Sequence, residues 1–147
     1  RLAAQGLDPL PNHIPNYEVP VAGSAYPLAM ISPPARNFLN SSFVNVDSLR
    51  DIEKEPLVEI NSLDAAARGI ATGDTVKVFN DRGEYHCKAD VTSRARAGVV
   101  NGLGIWWRKM GLNGTNVNEV TSQLLTDLGR APVFYDCQVE VALLKKA

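Results

Sequence analysis

Amide, hydroxyl and guanidinium side chains are concentrated in one loop-like segment, "SPPARNFLNSS" at residues 32–42. Arg36 can pair with an anion such as phosphate, and the amides of Asn37 and Asn40 can pair with the polar edge of a ring. The segment directly follows an apolar run, so we expect it where a buried strand ends. The same residue types also suit an ordinary turn-rich surface loop, and both interpretations stay open at this point.

Residues that commonly carry catalysis or bind metals are few, and none is a candidate for either role. We interpret His13, in an irregular segment, and His86, within a predicted strand, as structural. Cys87 and Cys137 lie fifty residues apart with no CxxC spacing, which excludes a structural zinc site or an iron–sulfur cluster. We expect both cysteines to be small core residues on strands, with a disulfide as the alternative.

Composition bounds the class of protein. The chain has 147 residues, 45% hydrophobic and 21% charged, with a formal net charge of −1; these values are typical of one globular domain with its own core. This balance, with no basic run longer than Lys145-Lys146, argues against a nucleic acid or an anionic membrane surface as partner.

Targeting signals are also weak. No apolar stretch approaches the roughly 20 residues of a membrane span, and no signal peptide pattern is found. We expect a cytoplasmic location, with the periplasm as the alternative. The first residue is Arg1 rather than methionine, which suggests a processed product or a piece of a longer protein.

Short strands dominate the predicted elements. Residues 1–24 are rich in Pro, Gly and Asn and predict an extended lead-in, and residues 25–147 form the domain. The apolar run 25–32 predicts a strand buried on both faces. Further strands are predicted at 56–60, 74–80, 84–91, from 98 onward and at 134–144, with short helices at 45–52 and 62–69 and a loop running into a short helix at 116–129. This order favours a closed or nearly closed β barrel over a doubly wound sheet.

The stretch "DAAARGIATGDTVKV" (64–78) predicts a compact corner between a helix and a strand. Gly69 is expected to end the helix in a left-handed conformation, and Gly73 to make a second tight turn. We expect the Asp74 side chain to accept hydrogen bonds from turn amides. The corner is therefore interpreted as architectural rather than catalytic.

Two further local features are predicted from short patterns. Asn61 looks like a helix N-cap, with Asp64 three residues later in a capping-box-like position. The turn "NDRG" (80–83) predicts a hairpin in which Gly83 takes a positive φ.

Taken together, four segments in this order resemble a known family. They are "AMISPPARNFLNSSF", "DAAARGIATGD", "RAGVVNGLGIWW" and "NVNEVTS". The chain resembles, over about residues 25–143, the C-terminal molybdopterin-dinucleotide-binding domain of the dimethyl sulfoxide reductase superfamily. That superfamily includes formate dehydrogenases, nitrate reductases and related molybdenum or tungsten oxidoreductases. The resemblance implies a mainly β fold, a six-stranded double-psi β barrel with short helices.

The resemblance also implies a cofactor, molybdopterin guanine dinucleotide, usually in two copies per metal, with the molybdenum or tungsten carried mainly by the rest of the enzyme. Asn118 and Thr121 match the family's asparagine-x-x-threonine element, whose asparagine typically contacts pterin. Of Trp106 and Trp107, at most one is expected to meet the ligand, because neighbours on a strand face opposite ways. Tyr135 stands where the family often has a lysine. The implied cofactor-binding residues are Ser32, Arg36, Asn37, Phe38, Asn40, Ser41, Trp106, Trp107, Asn118, Thr121, Phe134 and Tyr135.

The function implied is that of a binding module within an oxidoreductase, with no bond-making of its own. Its partners would be the preceding catalytic domains of the parent enzyme, or a large subunit if this domain is a separate small subunit, as in some formylmethanofuran dehydrogenases. The parent is expected to be formate dehydrogenase-like or nitrate reductase-like. One alternative is a double-psi barrel for protein interaction, as in the N-terminal domains of AAA-type unfoldases. Another is a barrel enzyme of the aspartate-decarboxylase kind, which would self-cleave at Gly23-Ser24.

Overall fold

Six strands close into a barrel in the computed structural model, which describes residues 1–10, 12–21 and 23–147. The strands are β1 (Leu28–Ile31), β2 (Leu57–Ile60), β3 (Thr75–Asn80), β4 (Gly83–Val91), β5 (Val99–Leu103) and β6 (Gln138–Lys145). In the described ranges the helices are α1 (Asp47–Glu53) and α2 (Ser62–Ala67), with 3-10 turns at Ala3–Gln5, Arg108–Met110 and Val117–Glu119. The predicted fold class, a mainly β six-stranded barrel with short helices, is confirmed.

The strand order around the barrel is β1-β5-β2-β4-β3-β6. The pairs β1–β5 and β2–β4 are parallel, and the remaining neighbours are antiparallel. Alternate residues of each strand point inward, as the period of two requires. The barrel core is made mostly of β-branched and small side chains, including Met30, Val58, Ile60, Val76, Val78, Cys87, Val100, Val139 and Val141.

The expectation that the first strand is buried on both faces is wrong. Leu28 and Met30 of β1 are buried, whereas Ile31 is 37% exposed. The wall of a small barrel has only one face turned to the core, so its strands alternate even where the sequence is continuously apolar.

The helix predicted within 116–129 is also absent from the described residues beyond the 3-10 turn Val117–Glu119. Hydroxyl groups in this segment bond to nearby backbone: Thr121 Oγ1 donates to the Asn118 carbonyl at 3.2 Å, and Ser122 Oγ accepts from the Leu124 N–H at 3.2 Å. Such local bonds compete with helix formation. The closing strand likewise begins at Gln138 rather than at Phe134.

The helix-to-strand corner has the predicted backbone. Gly69 has φ 64° and Gly73 has φ 88°, both in the left-handed region. The Ile70 N–H donates to the Ala65 carbonyl at 2.9 Å and the Gly69 N–H to the Ala66 carbonyl at 3.1 Å. This is a Schellman ending, which satisfies the last carbonyls of α2 and turns the chain toward β3.

Asp74 holds this corner together, as predicted. Its buried carboxylate accepts from the Ala71 N–H at 2.8 Å, the Ala147 N–H at 2.9 Å and the Lys146 ammonium at 3.0 Å. The hydrogen bond from Ala71 first, then those from Ala147 and Lys146, lower the pKa of Asp74 to about 2. The carboxylate therefore stays ionised and ties the end of the chain to the corner.

The capping box at α2 is only half present. Asn61 Oδ1 accepts from the Leu63 N–H at 3.0 Å, which confirms the N-cap. Asp64 does not return the bond; its Oδ2 accepts from the Gly98 N–H at 2.7 Å and holds the loop before β5. A distant backbone donor has replaced the local one.

Gly83 is required for a reason other than the predicted positive φ, because its φ is not in the left-handed region. A Cβ added there would lie 3.1 Å from the Glu119 carbonyl oxygen. The hairpin turn is closed instead by Asn80, whose Oδ1 accepts from the Arg82 N–H at 3.0 Å. The glycine thus allows the 117–119 turn to approach the hairpin.

Tyr17 and Glu18 fasten the lead-in to the rest of the domain; the Tyr17 N–H donates to Asp136 Oδ2 at 3.1 Å and its hydroxyl to the Leu125 carbonyl at 3.2 Å. The Glu18 carboxylate pairs with both terminal nitrogens of Arg82 and accepts from the Gln138 N–H at 2.8 Å. Within the described part of residues 1–24 there is no strand. No helix among the described residues has the length and apolarity needed to cross a bilayer.

Cys87 and Cys137 are free and buried, so the prediction of core cysteines is confirmed and the disulfide alternative is wrong, whereas the expected strand placement holds for Cys87 alone of the two. Cys87 lies in β4, and Cys137 immediately precedes β6. Burial raises the pKa of both thiols, that of Cys137 to about 11. Neither thiol is a thiolate near neutral pH.

Candidate functional site

Three segments that are distant along the chain meet at one end of the barrel. β1 and β5 are parallel, so both end there, and the antiparallel β6 begins there. The segments that follow β1 and β5 and the segment that precedes β6 form a groove of about 450 Å³, which we call the rim groove. Its lining residues are Ser32, Pro34, Asn40, Ile105, Asn118, Thr121, Ser122, Pro132, Phe134 and Tyr135. Six predicted site residues are therefore brought together: Ser32, Asn40, Asn118, Thr121, Phe134 and Tyr135.

Asn118 is presented to the groove by a short, well-capped turn. Asn116 accepts from the Asn118 N–H at 3.0 Å and donates to the Trp106 carbonyl at 2.8 Å. The Asn118 side chain is exposed, and across the described residues its amide group makes no hydrogen bond to another protein group. It therefore offers two donors and an acceptor to a ligand.

One carbonyl oxygen connects the turn that carries Asn118 to the β3–β4 hairpin and to the start of β6. The oxygen of Val120, a fully buried residue, accepts from Asn80 Nδ2 at 2.9 Å, Arg82 Nε at 2.8 Å and Cys137 Sγ at 3.1 Å. These donors come from the β3–β4 hairpin and the start of β6. The barrel thereby fixes the height of Asn118 above its rim.

Asn40 occupies the tip of a tight turn. Leu39 and Ser42 exchange backbone hydrogen bonds of 3.2 and 2.8 Å, and Asn40 has φ 53° between them. Asparagine tolerates this left-handed conformation better than most side chains. The turn leaves the Asn40 amide at the groove.

Phe134 and Tyr135 give the groove an aromatic wall. Their rings meet edge to face, with centroids 4.5 Å apart at 65°, and they are 37% and 49% exposed. Exposed aromatic faces are suited to packing against a planar ring.

Phe38 and Trp106 do not line the groove. Both are buried, at 5% and 4% exposure, and their rings meet edge to face with centroids 5.2 Å apart. With Ala35 and Val44 they form a second small core beneath the loop after β1. We therefore assign both to packing instead of the predicted cofactor contact, and of the two tryptophans it is Trp106 that packs inside.

Asn37 and Trp107 use their polar atoms within the protein. The Asn37 N–H and its Nδ2 both donate to Glu53 Oε1, at 2.7 and 2.8 Å. Trp107 Nε1 donates to the Ser41 carbonyl at 2.7 Å, and the Lys109 ammonium lies 5.1 Å from the Trp107 ring centroid. Arg36 and Ser41, the other predicted residues outside the groove lining, have exposed side chains.

Sequence reasoning missed the remaining groove residues. Ser122 directly follows the asparagine-x-x-threonine element, so its position was a usable signal. Pro34, Ile105 and Pro132 offer no side-chain chemistry, and only the closure of the barrel brings them together. In the described ranges no group of three or more His, Cys, Asp or Glu residues is placed to hold a metal ion.

A known family matches most of this sequence. The sequence model of the family described as "Molydopterin dinucleotide binding domain" matches residues 28–138. The chain belongs to this family. The membership favours a cofactor-binding domain over the interaction module and the self-cleaving barrel enzyme. It also agrees with the expected cofactor, molybdopterin guanine dinucleotide.

Relatives of this binding domain are large oxidoreductases. The chain is 34% identical over 128 residues to the probable oxidoreductase YoaE of Bacillus subtilis, covering 87% of the chain and 19% of that protein. It is 37% identical over 131 residues to the dimethyl sulfoxide reductase DmsA of Escherichia coli, covering 84% of the chain and 16% of DmsA. The chain thus spans about a fifth or less of the length of these relatives.

A solved structure supports the fold of the binding domain. Acetylene hydratase from Pelobacter acetylenicus superposes with a TM-score of 0.80 at 17% identity, over 96% of the chain and 22% of that protein. The relatives confirm the coarser expectation, a molybdopterin dinucleotide-binding domain of the dimethyl sulfoxide reductase group. They do not support a parent that is specifically formate dehydrogenase-like or nitrate reductase-like.

The donor set of the rim groove fits such a cofactor. A pterin or guanine edge needs amide partners, a pyrophosphate needs hydroxyl or N–H donors, and the ring faces need apolar contact. The groove offers the free Asn118 amide, the hydroxyls of Ser32 and Ser122, and the Phe134–Tyr135 wall.

Proposed function

We propose that the rim groove holds part of the molybdopterin guanine dinucleotide and that this domain orients the cofactor within a larger oxidoreductase. The observation that carries the proposal is that three polar segments, distant along the chain, meet in one groove. Among its lining residues, Asn118 presents a side-chain amide that is exposed and makes no hydrogen bond within the described residues. A free amide on an anchored turn costs little to organise before binding.

Each wall of the groove has a distinct task. Asn118 pairs with the hydrogen-bonding edge of a ring, and the hydroxyl of Ser32 donates to phosphate oxygen. Phe134 and Tyr135 cover a ring face and keep water from it. When bound, the cofactor supplies the metal centre at which electrons are transferred; the residues of this chain bind and orient it.

We propose further that the parent is a reductase of the dimethyl sulfoxide reductase type, in which catalytic domains outside these residues complete the cofactor site. Two relatives support this proposal: DmsA of Escherichia coli, and the dimethyl sulfoxide/trimethylamine N-oxide reductase of Cereibacter sphaeroides, 39% identical over 104 residues. An S-oxide or N-oxide is therefore the substrate class to assay first in the intact parent.

The test is Asn118→Ala in the full-length parent. Loss of the amide should remove one or two cofactor hydrogen bonds, each worth about 0.5–1.5 kcal/mol net, and lower the guanine nucleotide and molybdenum recovered per protein several-fold. Asn45→Ala is the matched control, because Asn45 is exposed on a turn outside the groove lining. Thermal unfolding of the two variants should be alike.

Two outcomes would contradict the proposal. If the wild-type parent releases no guanine nucleotide on denaturation, it does not carry the proposed cofactor. If the Asn118 and Asn45 variants have equal nucleotide content, the rim groove is not the cofactor site.

A further inference from the structure

The loop after β1 is shaped by partners outside the rim groove. Asn40 lines the groove from this loop, whereas Phe38, Glu53 and Trp107, which hold the loop, are not among the lining residues. Below it, Phe38 is buried in the small core. At its flanks, Asn37 contacts Glu53 and the Ser41 carbonyl contacts Trp107.

Of these contacts, the one made by Glu53 holds both the backbone and the side chain of a loop residue. One carboxylate oxygen, Oε1, accepts both the backbone N–H and the side-chain amide of Asn37, at 2.7 and 2.8 Å. Glu53 is the last residue of α1 and is half-buried. Hydrogen bonds to a charged acceptor are stronger than those between neutral groups, and a backbone donor held in this way fixes the chain as well as the side chain.

We propose that Glu53 is a positioning residue for the cofactor: through Asn37 it holds the loop so that Asn40 is presented to the groove before the cofactor arrives. The inference rests on the proposed function of the rim groove. It gives Asn37 and Trp107 the task of shaping the loop, in place of direct contact with the cofactor. Rigidity of this kind raises affinity because less ordering remains to be done on binding.

The geometry predicts which substitutions of Glu53 are tolerated. Both hydrogen bonds end on one oxygen, so Glu53→Gln keeps an acceptor for them, whereas Glu53→Ala removes it. Asp51→Ala is the matched control, because Asp51 is an exposed acidic residue of the same helix. The control removes the same charge without touching Asn37.

The experiment has two readouts in the full-length parent. The first is hydrogen exchange of the peptide spanning residues 33–44 in protein freed of cofactor. Glu53→Ala should speed exchange there by about tenfold, the effect of about 1.4 kcal/mol, while Glu53→Gln and Asp51→Ala leave it near wild type. The second is guanine nucleotide per protein, which should fall several-fold in Glu53→Ala and recover in Glu53→Gln.

The outcomes separate the two proposals. If Asn118→Ala loses nucleotide and Glu53→Ala keeps both its nucleotide and its slow exchange, Glu53 does not position the loop, although the groove assignment stands. If Glu53→Ala speeds exchange but keeps its nucleotide, the loop is held by Glu53 and the cofactor does not need it, which also overturns the proposal. If wild type holds no guanine nucleotide, the proposed function itself fails.

Discussion

Gly102 of β5 gives a sharp test of the barrel interior. An alanine Cβ at this position would lie 2.7 Å from the Tyr85 hydroxyl oxygen, 3.1 Å from Val117 Cγ2 and 3.7 Å from Met30 Sδ. Tyr85 is itself buried, so its ring has nowhere to retreat. Overpacking of this kind costs about 1–3 kcal/mol. Alanine recovers about 0.5–1 kcal/mol of backbone entropy relative to glycine, which leaves a net loss of up to about 2.5 kcal/mol, with about 1 kcal/mol at the middle of the two ranges.

The clash with the hydroxyl can be removed on its own. Tyr85→Phe deletes the oxygen, whose hydrogen-bond partner is the weak acceptor Met30 Sδ at 3.8 Å, so the single variant should lose less than about 1 kcal/mol. In the Tyr85→Phe background, Gly102→Ala should then cost less by about 1 kcal/mol, because the contact with Val117 remains.

Urea unfolding followed by the fluorescence of the two tryptophans measures all four proteins of this cycle. Gly129→Ala is the control, since its Cβ would meet its nearest neighbour, Thr126 Oγ1, at 3.9 Å; it should change stability by less than about 0.5 kcal/mol. A coupling energy below about 0.3 kcal/mol between positions 85 and 102 would contradict the close contact between the Tyr85 hydroxyl and an alanine methyl group at position 102.

Three further predictions concern buried or paired groups. In the folded protein the pKa of Asp74 is lowered to about 2, against an ordinary value of about 3.9. The stabilisation from its carboxylate is therefore complete above about pH 5 and is lost as the pH falls toward 2. In Asp74→Asn, the free energy of unfolding measured against pH should lose part of its acid dependence. Replacing Arg82 by alanine should remove the ion pair that holds Glu18 of the lead-in against the barrel, and limited proteolysis should then cut within residues 1–24 faster than in wild type. Cys87 and Cys137 should resist a maleimide near neutral pH until denaturant is added, because both are buried and their pKa values are raised; rapid labelling of the native chain would contradict the placement of either thiol.

The parts of the fold that the sequence predicted correctly are those fixed by neighbours in the chain. The alternation of β3 and β4 and the left-handed glycines Gly69 and Gly73 depend on residues within a few positions, so local pattern was sufficient. Asp74 belongs to the same group, since one of its donors, Ala71, lies three residues away.

The predictions that failed depended on partners far along the chain. Asp64 was expected to bond within its helix and instead holds Gly98, thirty-four residues away. Glycine at position 83 is expected from a positive φ, but the structure requires it because the Glu119 backbone approaches too closely for a side chain. Sequence rules that use only neighbouring residues cannot predict such partners, because closure of the barrel determines whether a near or a distant donor lies within reach.

The candidate site shows the same division. The family resemblance, carried by the loop after β1 and the asparagine-x-x-threonine element, was sufficient to select Ser32, Asn40, Asn118 and Thr121, which line one groove. Which polar side chains face the groove was not predictable, since Asn37 and Asn40 are three residues apart and of one type. The position of Glu53, at the end of a helix that packs against the loop, decides between them.

The pairing of β1 with β6, in which Leu28 stands opposite Val139, sets a time order for maturation. During synthesis the loop after β1 leaves the ribosome early. The opposite wall of the groove, the segment before β6, is held in place only after β6 has also left the ribosome and paired with β1. A growing chain that stops before Gln138 has no closed wall and hence no rim groove. On the proposed function, the cofactor can therefore occupy the rim groove only after the strands up to β6 have been translated.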